Sequence, residues 1–233
     1  MFRFIIVKSY ETGNQVVDFL AKTKAVLFDF DGVIAKSHSA HLKAWKISYQ
    51  EMTGTNISLQ ELNKFEGLSI KSIRKHLAQL NLSKNLIDEI TLKKEKILLE
   101  NTQEIEPYPS IVILCNELNN ANIPWGIVSN SSCKFIEAWL VNQWLEPGCI
   151  IGLECYKEPK PSPEPWLKGA KMLNIRLSHH RDILGIEDSI RGIRSLKKAG
   201  MRACGFTSSN SKNDLISAGA DICIDNFDQL TQG

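Results

Sequence analysis

Apolar residues return along this chain in two rhythms: short unbroken runs, and longer stretches in which they recur every three or four positions. The first is the mark of a buried strand and the second of an amphipathic helix. From position 110 onward the two alternate regularly. The spacing predicts helices over 110–121, 133–144, 164–173, 190–199 and 215–218, and strands over 123–128, 149–153, 182–186, 202–206 and 221–224. One earlier strand, Ala25-Val26-Leu27, runs into Phe28-Asp29-Phe30-Asp31-Gly32-Val33. Strands separated by crossover helices predict an α/β fold, a three-layer Rossmann-like core with a mainly parallel sheet. Right-handed crossovers then bring the C-terminal ends of the strands to one edge, where open sheets bind ligands.

Between that first strand and position 110 the pattern is helical throughout, with helices expected over 39–52, 59–65, 70–80 and 86–99. Leu42, Trp45, Ile47 and Tyr49 carry the first of these, and Gly54 suits its C-terminus. Ser58, Ser69 and Ser83 are placed to cap the next three. The block 36–105 is therefore expected to be an inserted all-helical cap domain, with 25–35 and 106–233 forming the core. Glu106-Pro107-Tyr108-Pro109 marks the return hinge, because proline stops a helix. Residues 1–24 form an extension, in which Phe4-Ile5-Ile6-Val7 suggests a short strand and Val16, Val17, Phe19 and Leu20 a short helix.

Charge changes this picture little. A net charge of +2 over 233 residues, with no basic run, points to neither a nucleic acid nor a membrane partner. The apolar run over 2–7 is too short for a signal-peptide core, and no stretch reaches the ~18 apolar residues of a membrane span. The six cysteines are scattered, without a C-x-x-C pair or a histidine at zinc spacing, and are read as reduced thiols of a cytoplasmic protein.

The strand ends carry the candidate chemistry. Side chains two apart on a strand share a side, so Asp29 and Asp31 are expected to face one small region. Close carboxylates repel unless a cation or a shared proton relieves them. The same sheet edge gathers Ser129 and Asn130, Glu187 and Asp188, and Lys160 from a proline-stiffened loop. Carboxylates, a hydroxyl, an amide and one ammonium together suit metal-assisted phosphoryl transfer. Mg2+ takes oxygen ligands, and a carboxylate can act as the nucleophile toward phosphorus.

In their order, four motifs make the chain resemble the haloacid dehalogenase-like superfamily, in the branch with a helical cap after the first motif. They are D-F-D-G-V-I at 29–34, V-S-N at 128–130, K-P-S-P-E-P-W at 160–166 and G-I-E-D-S-I-R-G-I at 185–193. The resemblance implies that Asp29 is the phosphorylated nucleophile and Asp31 the general acid/base. It implies Mg2+ held by Asp29, the backbone carbonyl of Asp31 and Asp188, with Glu187 as a ligand or its neighbour. Ser129 and Lys160 match the residues that hold the phosphoryl oxygens, with the amides of Gly32 and Asn130 as further donors. An aspartate at position 31 points to phosphate esters, since dehalogenases of the superfamily lack it and phosphonate-cleaving members usually carry alanine there.

Ser37, His41 and Trp45 match the hinge hydroxyl and the H-x-x-A-W of β-phosphoglucomutase-like and phosphoglycolate phosphatase-like members, in which the histidine and tryptophan lie beside the site. Two departures weigh against a mutase: Lys36 replaces an acidic residue, and Ile70 stands where an arginine would grip the second phosphate. Lys71 follows it on the helix. The expected function is Mg-dependent hydrolysis of a small phosphorylated metabolite, with a phosphomutase as the alternative. A non-catalytic phospho-metabolite-binding protein is a further alternative, disfavoured by the intact motif residues. His38 and Lys43 join Ser37, His41, Trp45 and Lys71 as candidate cap contacts. Trp139 and Trp144 follow helical spacing and are expected to pack; His179 and His180 lack partners for a metal; Cys133 opens a helix that could lower its pKa, but it is expected to be a bystander.

Overall fold

The computed structural model of the chain describes residues 23–65 and 68–230. The strand and helix expected within 1–22 lie outside the described residues. Among the described residues, the strands are β1 (Ala25–Phe28), β2 (Trp125–Val128), β3 (Ile150–Ile151), β4 (Ile183–Glu187), β5 (Arg202–Phe206) and β6 (Ile222–Ile224). They form one parallel sheet in the order β3-β2-β1-β4-β5-β6, which puts β1 in the middle between β2 and β4.

Four helices follow β1: α1 (His38–Thr53), α2 (Leu59–Asn63), α3 (Ile70–Gln79) and α4 (Lys84–Glu100). The hydroxyls of Ser58, Ser69 and Ser83 cap the last three by accepting from Glu61, Ser72 and Leu86 amides. Trp45, Leu62, Phe65, Ile73, Leu77 and Ile90 pack into a cluster of their own. Ala44 and Leu98 instead join the core of the sheet, which seats α1 and α4 on it. The two connections between this helical block and the sheet run side by side, with Lys36 N donating to Glu106 O and Tyr108 N to Ile34 O, both at 2.9 Å.

The remaining helices are α5 (Ile111–Asn120), α6 (Cys133–Gln143), α7 (Glu164–Met172), α8 (Ile190–Lys198) and α9 (Lys212–Ala218). Alternation along β1 shows how the layers are made. Val26 and Phe28 face a cluster with α5 and α6, through Leu114, Phe135 and Trp139. Ala25 and Leu27 face the opposite cluster with α7, α8 and α9, through Trp166, Ile193 and Leu215.

One expected packing residue fails. Trp139 is fully buried, edge-on to Phe30 at 5.2 Å, but Trp144 is 92% exposed. The helix stops at Gln143 and Trp144 takes a left-handed backbone (φ 55°), which turns its ring out of the helical repeat.

Candidate active site

β1 ends at Phe28, one residue before the acidic pair. The Asp29 amide still donates to Ile186 O at 2.9 Å, and then the chain turns, burying Phe30 in the core. Gly32 makes that turn at φ +83°, with its amide on Ala35 O at 2.9 Å. A Cβ there would sit 2.1 Å from Asp188 Oδ2, so glycine serves both the backbone and the carboxylate beside it. The turn overrides the strand alternation expected for the two aspartates. Asp29 and Asp31 face different partners.

Asp29 belongs to a buried charged cage. Lys160 Nζ donates to Asp29 Oδ1 (2.7 Å), Glu187 Oε1 (2.8 Å) and Val128 O (2.9 Å), which uses its three protons. Its ammonium also stands 4.3 Å from the centre of the Trp166 ring. Burial works against that charge, but Asp29 and Glu187 outweigh it and hold the Lys160 pKa above the ordinary range. Glu187 turns its other oxygen to the amide (2.7 Å) and hydroxyl (2.9 Å) of Ser189. Asp188 Oδ2 accepts from Ser208 at 3.2 Å and from Ser209, while Asn210 Nδ2 holds its backbone carbonyl at 2.9 Å.

Burial raises the Asp29 carboxyl well above its usual range despite Lys160, and Glu187 adds to the rise. Burial and then the Glu187 charge bring Asp188 to about 7. Asp29, Glu187 and Asp188 each offer an oxygen within 4.8 Å of the others. Three buried carboxylates against one ammonium leave excess negative charge, and an all-oxygen donor set suits a hard divalent cation. The residues therefore fit such an ion. The Asp31 side chain is not in this group; its suggested part there is its backbone carbonyl alone.

Asp31 sits in a second network. Oδ1 accepts from Ser37 (2.6 Å) and contacts His41 Nε2 (2.9 Å), and Oδ2 accepts from Ser129 (3.0 Å) and Ser131 (2.7 Å). Burial alone would raise this carboxyl, but His41, by charge and hydrogen bond, and the two serine hydroxyls of positions 37 and 131 hold it well below the usual range. His41 is itself pushed down, first by burial and then by Lys94.

Ser37 and His41 thus meet Asp31, not Asp29, and His41, Trp45 and His38 line a cavity of about 90 Å³ with Asp31 and Asn130. Asn130 also meets the hydroxyl of Tyr156, at 2.9 Å from its Oδ1.

Two expected contacts are corrected. Lys71 points outward to Glu158 at 3.3 Å, and Ile70 takes the cavity wall, because neighbours on a helix diverge by about 100°. Lys43 is exposed and lines a separate depression beside Lys36. Burial and the Cys155 sulfur push the Cys133 thiol up to about 12, so the helix N-terminus does not lower it. His179 pairs with Asp182 at 3.1 Å, and His180 is buried against Ala199 O.

Sequence reading missed Lys94, Ser131 and the Ser208–Ser209 pair. Lys94 on α4 is buried, lines the cavity, and stands 3.9 Å from Glu95 Oε2 and 5.6 Å from the centre of the Trp45 ring. A signal for it existed. Leu86, Ile87, Ile90, Leu98 and Lys94 fall on one helical face, so this lysine alone of its charged run lies in the apolar stripe.

The family model described as haloacid dehalogenase-like hydrolase matches residues 26–206. Hexitol phosphatase A of Escherichia coli is 26% identical over 213 residues, covering 90% of this chain and 94% of its own. The β-phosphoglucomutase of Bacillus subtilis is 26% identical over 224 residues, covering 89% and 92%. The crystal structure of a β-phosphoglucomutase from Clostridium difficile superposes with a TM-score of 0.75 at 26% identity, over 90% of this chain and 93% of that one.

Proposed function

Because the chain belongs to the haloacid dehalogenase-like hydrolases and is a phosphatase-type enzyme of that family, we propose that it hydrolyses a small phosphorylated metabolite through an aspartyl-phosphate on Asp29. The observation that carries this reading is the contrast between two carboxylates two residues apart. Asp29 is gripped by an ammonium in a buried acidic cage. Asp31 is held ionised by His41 and hydroxyls at the cavity.

In the first half of the reaction an Asp29 oxygen attacks phosphorus, and the alcohol leaves with a proton from the Asp31 side of the site. In the second half a water attacks the same phosphorus, gives its proton to Asp31, and restores Asp29. The ionised state of Asp31 suits this second half. The first half needs a proton on it, and a substrate that displaces His41 from Oδ1 would let burial raise the carboxyl. Lys160 keeps Asp29 oriented, and in this reading Ser129, whose hydroxyl donates to Asp31, and the Asn130 amide would receive phosphoryl oxygens. Mg2+ held by Asp29, Asp188 and the Asp31 carbonyl, with Glu187 beside them, would supply neutralising charge for the phosphoryl group.

Helices α1 to α4, over 36–105, act in this reading as a cap hinged at the paired connections near Lys36 and Glu106. The small cavity favours a short leaving group of the sugar phosphate, polyol phosphate or phosphoglycolate type, with Lys94 receiving a polar or anionic group on it. A cytoplasmic setting, in which cysteines are kept mainly reduced, is part of this reading.

A second reading, a phosphomutase, gains from Lys94, which restores to the cavity a cation that Ile70 does not provide. Phosphate release from a panel of small phosphomonoesters, with and without Mg2+, tests the proposal beside Asp29→Asn. The expected result is metal-dependent release that falls by at least about 10³-fold in the variant. Isomerisation of β-glucose 1-phosphate with a bisphosphate primer, in place of release, would establish the mutase. Release that survives the substitution would reject both.

A further inference from the structure

Two cysteines lie under the loop that follows β2, outside the chemistry described above. Cys133 opens α6 directly after Ser129, Asn130, Ser131 and Ser132, and Cys155 lies in the turn after β3. Their sulfurs are 3.6 Å apart, and both residues are half-buried. The turn already grips the loop in three places. Leu153 N donates to Ser131 O (2.9 Å), Cys133 N to Glu154 Oε2 (3.0 Å), and the Tyr156 hydroxyl meets Ser129 O (3.0 Å) and Asn130 Oδ1 (2.9 Å). Gly152 makes the close approach possible, since a Cβ there would lie 2.5 Å from Cys133 N and 2.8 Å from its sulfur.

We propose that Cys133 and Cys155 form a reversible disulfide that acts as a redox-controlled clamp on the Ser129–Asn130–Ser131 loop, with a low-molecular-weight disulfide as the oxidant. The Cys155 thiolate attacks one sulfur of the oxidant, forming a mixed disulfide and releasing one thiol. Cys133 then loses its proton and attacks the Cys155 sulfur, releasing the second thiol. Two protein thiols are oxidised, one oxidant disulfide is reduced, and two small thiols carry away the protons. The raised pKa of Cys133 slows its own attack, which suits it to the intramolecular closing step rather than the encounter with the oxidant.

Closure brings the sulfurs from 3.6 Å to about 2.05 Å, and in the proposal part of that approach is made by residues 131–133 moving toward the turn. That movement acts on the Ser131 contact with Asp31 and on the Ser132 contact with Glu95 of α4. Oxidation therefore lowers phosphate release by about tenfold, as a displacement below 1 Å at a reacting group can.

The test treats the full chain with oxidised glutathione, blocks remaining thiols with N-ethylmaleimide, and maps peptides by mass. The expected result is a Cys133–Cys155 linked peptide, a fall from six free thiols to four, and reversal by dithiothreitol. Six free thiols, a stable glutathione adduct on Cys155, or a link between other cysteines would overturn the proposal. The map needs no activity, so it fails or holds separately from the phosphatase reading. In the activity arm, Cys155→Ser and Cys133→Ser should each release phosphate at the rate of the reduced protein and ignore the oxidant. Equal inhibition of these variants, or a linked protein with unchanged release, would remove the clamp.

Discussion

At the sheet edge Lys160 uses all three of its protons on Asp29, Glu187 and the Val128 carbonyl, while Lys94 stands 3.9 Å from Glu95 Oε2 and lines the cavity together with apolar residues such as Trp45, Ile70 and Ile73 and the polar Asp31 and His41. Both lysines are buried. One is enclosed by carboxylates that raise its pKa, and the other is pushed down by burial, with Glu95 and Asp31 only partly restoring it. In the proposed reading the difference separates two tasks. A reacting carboxylate must be held in place before any ligand arrives, so its cation is fully engaged. A recognition site benefits from a cation whose best partner is still to come, because the ligand then relieves a cost already present in the free protein.

The sharpest way to break this comparison is Lys94→Met. In the proposed reading it raises KM by about ten- to a hundredfold, the worth of one charged hydrogen bond, with a smaller change in kcat. Because it removes a buried cation with little compensation, the thermal midpoint should hold or rise. A KM that stays put would make Lys94 a packing residue.

Next in size is His41→Asn, with kcat reduced by about tenfold. His41 helps to hold the Asp31 carboxyl down, and without it burial raises that carboxyl. The acid limb of the kcat profile should then move toward neutral pH. An unmoved limb would detach His41 from the proton chemistry.

A third effect lies in stability. The Asp188 carboxyl is raised to about 7 in the folded chain, so the fold binds that proton more tightly than the unfolded chain does. Metal-free protein accordingly loses stability from this group as pH rises from about 4 to about 7, and the loss is complete above that. If Mg2+ takes the proposed site it replaces the proton, so its stabilisation of the thermal midpoint should be larger at about pH 8 than at about pH 5.5. Equal shifts at both would place the ion elsewhere. The smallest effect belongs to Lys71→Ala, which loses an exposed pair with Glu158 and should leave KM within about twofold.

The same division governs what the sequence could reveal. Asp29, Ser129 and Asp188 sit at strand ends, and strand ends of a parallel sheet converge whatever the packing details, while Lys160 was marked by the prolines of its loop. Caps such as Ser58, Ser69 and Ser83 are equally legible, because a hydroxyl three residues from an amide is a local matter. Asp31 was placed correctly in sequence and wrongly in space, since Gly32 turns the chain before strand alternation can act. Trp144 shows the same limit: helical spacing continued past the point where the backbone left the helix. Ser131 and Ser209 were missed because their carboxylate partners are about a hundred and about twenty residues away, and a serine in a loop carries no pattern that names its partner. Lys94 was legible only on the helical face, hidden in a run of charge that reads as solvated surface.

The most direct test of the account is to quench the reaction with acid in the first turnover on a 32P-labelled phosphomonoester and map the bound label. The account predicts a label that hydroxylamine removes, on the peptide containing Asp29, and none in Asp29→Asn. Phosphate released with no labelled protein at any time, or a label on another residue, would contradict it.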